Sequence, residues 1–229
     1  MVIGGFQKFS LSDFPGRISA IIFTRGCGFR CPYCHNPELV DPACYAPALS
    51  YETVLGFLDS RRGLLQGVVV TGGEPTVHDD LPDLLFAVKA MGFSVKLDTN
   101  GCNPALLERL IVQKLCDYIA LDIKAPLASY RRLVCAPVNP ATIHSSLDLV
   151  IGSGIPHEIR TTYVESLLSD EELKEIGELV HGCNRLFLQL YRGTKSLDPT
   201  LLATPHPSDQ RIGRLKELLE SSGAPVQVR

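Results

Sequence analysis

Short runs of β-branched apolar residues alternate along this chain with segments whose apolar residues recur at helical spacing. That alternation restricts the fold more than any other feature. Runs at 18–24, 67–71, 94–98, 118–123, 157–164 and 185–191 read as strands. Between them, 51–60 carries Val54, Leu55 and Leu58 on one face, and 80–91 carries Leu81, Leu84, Leu85 and Val88. Residues 104–113, 140–150, 169–180 and 208–219 read as further helices. Ser50 precedes the first helix as an N-cap, with Thr53 where a capping box wants Glu or Gln, whereas Ser169 and Glu172 complete the box at another. Pro104 suits a first helical turn and Gly92 a helix end. Six strands, mostly followed by helices, predict parallel β/α units with right-handed crossovers. At 229 residues the chain is shorter than the ~250 typical of a closed eight-stranded barrel. A partial (β/α)6 TIM-type barrel of parallel strands fits the count. A doubly wound sheet competes, and periodicity does not separate the two. No linker divides the chain, so 1–229 reads as one domain, with a distinctive loop at 25–36 and a C-terminal helix and tail at 208–229.

Composition removes several functions. With 22 basic and 25 acidic side chains the net charge is -3, which argues against nucleic-acid binding. No stretch approaches the ~18 consecutive apolar residues of a membrane span, and the first residues lack the pattern of a signal peptide. Eight cysteines in an unexported chain of this size point to reduced thiols in a cytoplasm rather than to a disulfide scaffold. Cys44, Cys102, Cys116, Cys135 and Cys183 stand alone and read as small buried hydrophobes. Cys27, Cys31 and Cys34 are clustered.

Both candidate folds put the active site at the C-terminal ends of the strands. The residues found there are Arg25-Gly26-Cys27, Gly72-Gly73-Glu74-Pro75, Asp98-Thr99-Asn100-Gly101 and Asp122-Ile123-Lys124. Arg160 lies within the fifth strand, and the sixth ends Gln189-Leu190-Tyr191-Arg192. Gly28 and Pro32 make a loop of the segment that holds the three thiols, so they can converge. Soft ligands of this kind select zinc or an iron–sulfur cluster. A structural zinc site needs a fourth ligand, here His35 or Cys44. A four-iron cluster held by three cysteines keeps one iron open to an outside ligand, and the spacing favours that reading.

The pattern Cys-x3-Cys-x2-Cys after the first strand, with Tyr33 before the last cysteine and Gly-Gly-Glu-Pro after the next strand, resembles the radical S-adenosylmethionine (SAM) enzymes. Cys34-His35-Asn36-Pro37-Glu38, Asp98-Thr99-Asn100-Gly101 and Asp122-Ile123-Lys124 are similar to segments of the activating enzymes of glycyl-radical enzymes. Within that group the chain resembles the activating proteins of anaerobic ribonucleoside-triphosphate reductase, and also those of pyruvate formate-lyase. The resemblance spans about Phe6 to Tyr191. It implies a radical SAM fold, a 4Fe-4S cluster on Cys27, Cys31 and Cys34, and SAM bound through its methionine amino and carboxylate groups. One electron from the cluster then cleaves SAM, and the 5′-deoxyadenosyl radical takes hydrogen from a backbone glycine of the partner. It further implies SAM contacts from Tyr33 and His35 on adenine, from Gly72, Gly73 and Glu74 on the amino group, and from Asp98, Asp122, Lys124, Arg160 and Tyr191. Gly72 and Gly73 are expected to admit a ligand closely, and Arg25, Arg30 or Lys124 to add positive charge near the cluster. An inward Arg160 needs a partner in SAM, the substrate peptide or Asp122.

The sequence departs from the family in two places. Tyr191 stands where pyruvate formate-lyase activating enzymes carry His, and Asp13-Phe14-Pro15-Gly16-Arg17 is shifted relative to their partner-contacting segment. The expected partners are a glycyl-radical enzyme, foremost anaerobic ribonucleotide reductase, and a flavodoxin- or ferredoxin-type electron donor. Two other functions compete. One is a radical SAM enzyme acting on a small heterocycle or nucleotide, as in 7-deazaguanine formation, and the other is a zinc-binding interaction module.

Overall fold

The computed structural model describes residues 1–220, 223 and 225–229, so positions 221, 222 and 224 of the expected 208–229 helix and tail lie outside the described residues. Eight strands form one sheet in chain order: β1 (Ile3–Ser10), β2 (Ser19–Thr24), β3 (Gly67–Gly72), β4 (Ser94–Thr99), β5 (Tyr118–Asp122), β6 (His157–Tyr163), β7 (Leu186–Leu190) and β8 (Val226–Val228). The six expected strands are β2 to β7, and all their pairings are parallel. The correction lies at the edges. β1 pairs antiparallel with β2, and β8 adds in parallel to β7. β1 alternates weakly, with exposed Gln7, Lys8 and Phe9, and β8 has only three residues, so neither carries a periodic signal.

Among the described residues eight α-helices accompany the strands: α1 (Pro37–Val40), α2 (Tyr51–Asp59), α3 (Leu81–Ala90), α4 (Pro104–Val112), α5 (Tyr130–Val134), α6 (Pro140–Gly152), α7 (Asp170–Leu179) and α8 (Asp209–Glu220). Their ends follow local chemistry. The Ser50 hydroxyl accepts from the Thr53 N–H, Ser169 and Glu172 close a full capping box, and the Asn103 side chain caps the Pro104 helix. No helix among the described residues is long and apolar enough to cross a membrane.

Chain-order strands never reverse direction across the sheet. With right-handed crossovers every helix therefore falls on one face, which curls the sheet into a partial barrel and leaves no doubly wound switch point. Strand alternation then divides the side chains. Ala20, Ile22, Val68, Val70, Val95, Leu97, Ile119, Leu121, Ile159, Leu186 and Leu188 share one core with the helices' Leu84, Leu85, Leu107, Leu110, Ile143, Leu147, Leu173 and Ile176. The opposite, inner face is apolar only toward the floor. There Phe14, Ile21, Val69 and Tyr118 pack together, and Phe14 lies tilted at 6.1 Å from the Tyr118 ring. Higher on that face the alternation presents Lys96, Asp98, Asp122, Glu158, Arg160, Thr162 and Gln189.

Phe14 fills the barrel floor from the β1–β2 loop and is 3% exposed. Phe14→Ala should lower unfolding stability by about 3–5 kcal/mol, read as a lower urea midpoint at unchanged slope.

Candidate active site

A cavity of about 420 Å³ opens at the C-terminal ends of the parallel strands. Cys27, Cys31, Tyr33, Cys34 and His35 border it from the loop after β2, and Gly72, Gly73 and Glu74 from the end of β3. Asp98, Asp122, Lys124 and Arg160 border it from β4, β5 and β6. Twelve expected residues thus meet around one space, and Tyr191 does not. Tyr191 is buried behind the wall and stacks on the His35 ring at 5.3 Å and 19°. Sequence reasoning omitted Asn100, Asn36, Thr71, Thr99, Thr162, Gln189 and Asp13 from the wall. Thr99 and Asn100 lie within a segment already singled out, and their place after a strand was the available signal. Asp13 lies in a segment singled out for its likeness to a partner-contacting one, but only the folding of the β1–β2 loop brings it to the cavity.

The cysteine loop is held from within and from behind. The Phe29 N–H donates to Cys27 Sγ at 3.3 Å, and the Cys34 N–H donates to the Cys31 carbonyl at 3.0 Å. The Arg30 guanidinium donates to the carbonyls of Cys27 and Phe29, both at 2.8 Å, so Arg30 braces the loop. Arg25 is spent on the Ala46 carbonyl and the Tyr45 ring. Lys124 is the expected cation that borders the cavity. Burial pushes the Cys27 thiol up to about 12 and Cys31 to about 11, and raises Cys34. Such thiols stay protonated unless a metal replaces the proton. Among the described residues no three His, Cys, Asp or Glu side chains converge enough to hold a single metal ion. A tetrahedral zinc ion at ~2.3 Å from each sulfur would need that convergence, whereas a four-iron cube takes its thiolates at separate corners. Of the two candidate fourth zinc ligands, His35 borders the cavity and Cys44 does not. His35 lies against Tyr191, and the Cys44 thiol is exposed and faces Asp41 at 3.9 Å. Three soft donors around one cavity, Cys31 buried and Cys27 and Cys34 partly so, fit an iron–sulfur cluster. Cys116 and Cys183 are buried as expected and Cys102 partly so, but Cys44 and Cys135 are exposed, a correction to their reading as core residues.

Gly72 and Gly73 are required by the protein itself. Gly72 has φ +122°, and a Cβ there would sit 2.9 Å from the Phe23 carbonyl carbon and closer still to Thr24. A Cβ on Gly73 would sit 2.8 Å from the Gly26 carbonyl carbon and closer to its oxygen. The close approach expected of a ligand is made here by the start of the cysteine loop, through Gly73 N–H to Thr24 carbonyl at 2.9 Å and Glu74 N–H to Gly26 carbonyl at 2.8 Å. Glu74 is 1% exposed and accepts four hydrogen bonds. Its Oε1 accepts from the Thr76 N–H and from the hydroxyls of Thr76 and Thr99, and its Oε2 accepts from the Asn100 N–H. It welds the end of β3 to the end of β4, and the Asn100 amide then reaches Cys27 Sγ at 3.6 Å.

Across the inner face runs an ionic ladder. Arg160 Nε donates to Asp122 Oδ1 at 2.7 Å and Nη1 to Asp98 Oδ2 at 2.9 Å. Lys96 Nζ meets Asp98 Oδ1 at 2.5 Å, and Lys124 Nζ lies 3.4 Å from Asp122 Oδ2. Arg160 therefore finds Asp122, as expected, and Asp98 as well. Burial alone would raise both carboxyls, but Arg160 with Lys96 or Lys124 outweighs it and holds them below the usual range. Lys124 is held well above its usual value, since Asp122 and its other neighbours outweigh burial. Glu158 lies 3.9 Å from Arg160 Nη1, so three carboxylates face Lys96, Arg160 and Lys124, and Lys124 is the ladder's upper end. Its ammonium lies 6.0 Å from the Tyr33 ring, whose buried hydroxyl has no hydrogen-bond partner. The site can thus offer a cation to a carboxylate beside the cysteine loop.

The model of the radical SAM superfamily matches residues 21–181. A Methanocaldococcus jannaschii protein provisionally named a glycyl-radical enzyme activating enzyme is 29% identical over 222 residues, 95% of this chain and 91% of that protein. The pyruvate formate-lyase-activating enzyme of Streptococcus mutans serotype c is 31% identical over 191 residues, 78% of this chain and 72% of that enzyme. Among solved structures, Streptococcus suis SuiB superposes with a TM-score of 0.68 at 17% identity, over 91% of this chain and 48% of its own, a likeness of fold.

Gly73→Ala should cost about 1–3 kcal/mol by overpacking and cut iron uptake by the displaced cysteine loop, measured as iron bound per chain with far-UV dichroism retained. Asp98 and Asp122 have folded pKa values below their unfolded ones, so their stabilisation is complete above about pH 4 and is lost as pH falls through the folded values. Asp98→Asn, which strips a carboxylate from two buried cations, should cost about 3–5 kcal/mol at pH 7. Urea unfolding at pH 7, 5 and 3.5 should show the gap to wild type narrowing toward the acid end.

Proposed function

The chain belongs to the radical SAM superfamily, among the glycyl-radical enzyme activating enzymes, and from that membership we propose that it takes a hydrogen atom from a backbone glycine of anaerobic ribonucleoside-triphosphate reductase. Enzymes of this superfamily use a 4Fe-4S cluster and SAM, and activating enzymes of this group act on protein substrates. The observation that carries the reading is one cavity bordered both by the three thiols and by the cationic end of the ladder.

In this reading Cys27, Cys31 and Cys34 hold the cluster. When bound, the cluster supplies the single electron that cleaves a carbon–sulfur bond of SAM. The remaining work belongs to the chain. Lys124 attracts the methionine carboxylate as a compact point charge. Asp122 and Arg160 fix the lysine's position, and Glu74 holds the Gly72–Glu74 turn beside the cysteine loop. Tyr33 and His35 form the wall toward adenine, and Tyr191 backs His35. Buried walls exclude water from the reacting centre. β1 and β8 are the sheet's edge strands, and the opening between them suits a loop of a large partner. A flavodoxin- or ferredoxin-type protein provides the electron. All eight cysteines carry free thiols, which supports a cytoplasmic site of action.

Anaerobic protein reconstituted with iron and sulfide, then given SAM and a reductant, should release 5′-deoxyadenosine. Added anaerobic ribonucleotide reductase should acquire a glycyl radical visible by electron paramagnetic resonance. A radical on a formate-lyase-type partner instead would reassign the partner, and no deoxyadenosine with either would end the reading. Lys124→Met should raise KM for SAM about 10- to 100-fold, the cost of one hydrogen bond to a charged group, with cluster absorbance unchanged.

A further inference from the structure

Apart from Tyr191, the segment that follows β7 is not expected to shape the cavity, yet it crosses directly onto the cysteine loop. Pro32, between Cys31 and Cys34, has a carbonyl that accepts two hydrogen bonds, from Ser196 Oγ at 2.6 Å and from the Asp198 N–H at 2.9 Å. Lys195 Nζ pairs with Glu38 at 2.6 Å just beyond the loop. Tyr191 stacks on the His35 ring. Residues 191–198 thus touch the loop at Pro32 and His35 and the following helix at Glu38.

This segment is anchored at both ends. The Tyr191 N–H donates to the Tyr163 carbonyl at 3.1 Å. At the other end Asp198 accepts from the Thr200 N–H at 2.9 Å and the Thr200 hydroxyl at 2.7 Å, and Leu201 is buried. Gly193 packs so tightly on this turn that a Cβ would lie 2.5 Å from the Leu202 carbonyl oxygen. The attachment to Pro32 is therefore made from a fixed support.

We propose that residues 191–198 form a strap that sets the Cys31–Cys34 turn for its cluster, with Ser196 as the positioning residue. The inference rests on the reading that the three thiols hold a cluster. The exposed Lys195–Glu38 pair is a minor part of it, because a solvated ion pair contributes little. The two bonds to Pro32 do most, because they fix the segment between two of the three ligands before iron arrives, and groups that orient metal ligands commonly govern metal retention.

The test compares wild type, Ser196→Ala and Ser196→Thr as reconstituted holoprotein and as metal-free protein. Iron release to the ferrous chelator bathophenanthroline, followed anaerobically, should be about three- to tenfold faster in Ser196→Ala, the effect of losing one ordinary hydrogen bond, and Ser196→Thr should restore it. In the metal-free proteins the Cys34 amide should exchange faster in Ser196→Ala, while the urea midpoint stays near wild type. Equal iron release from wild type and Ser196→Ala, with a four-iron cluster present in both, overturns the strap. A wild type that never takes up iron ends the cluster reading instead. The exchange measurement then decides the strap alone, and unaltered Cys34 protection overturns it.

Discussion

The Arg160 guanidinium lies between the carboxylates of Asp98 and Asp122, and much of the barrel interior follows from keeping that charge satisfied. A buried guanidinium without anions would be costly, and two carboxylates without it equally so. The bonds tie β4, β5 and β6 across their inner faces, at the height where β4 and β5 end and β6 is at mid-length. Lys96 below and Lys124 above extend the ladder. Beneath it, buried Glu158 accepts from the Tyr118 hydroxyl at 3.0 Å and pairs with Arg229 at 3.6 Å. The inner face thus passes from an apolar floor around Phe14 to a charged middle and then to the mouth. A parallel sheet covered by helices usually carries apolar side chains on both faces. The polar inner face here fits a cavity that takes a charged ligand.

A second constraint is steric. β2 and β3 run in register to Thr24 and Gly72, and both segments then turn into the same space. Only residues without Cβ atoms fit where they touch. Glu74 fixes the far side of this junction with four donors. The cysteine loop consequently starts from a rigid origin, is braced by Arg30 and by the Arg30 N–H to the Val134 carbonyl at 2.8 Å, and is crossed by the segment after β7. The loop has little secondary structure, and its order comes from neighbours on three sides. This arrangement suits thiols that burial keeps protonated until a metal binds.

Much of this molecule is written locally. Six strands, the helices between them, the capping box at Ser169 and the residues that gather at one rim follow from alternation, helical spacing and the rule that parallel β/α units work at their carboxyl edge. The order of cysteine, glycine and acidic motifs pointed to the family, because each motif depends on neighbours in sequence. The barrel over the doubly wound sheet was a tertiary outcome, since periodicity records which face of an element is apolar and not the order in which strands pair. β1 and β8 were invisible because edge strands need no long apolar pattern. Tyr191 moved out of the cavity because a position after a strand does not say which way the side chain turns, and the glycines met a neighbouring backbone that no local pattern encodes. Sequence supplied the chemistry of the donors, whereas contacts between distant residues decided which donors face the cavity, which charges cancel and what holds the loop.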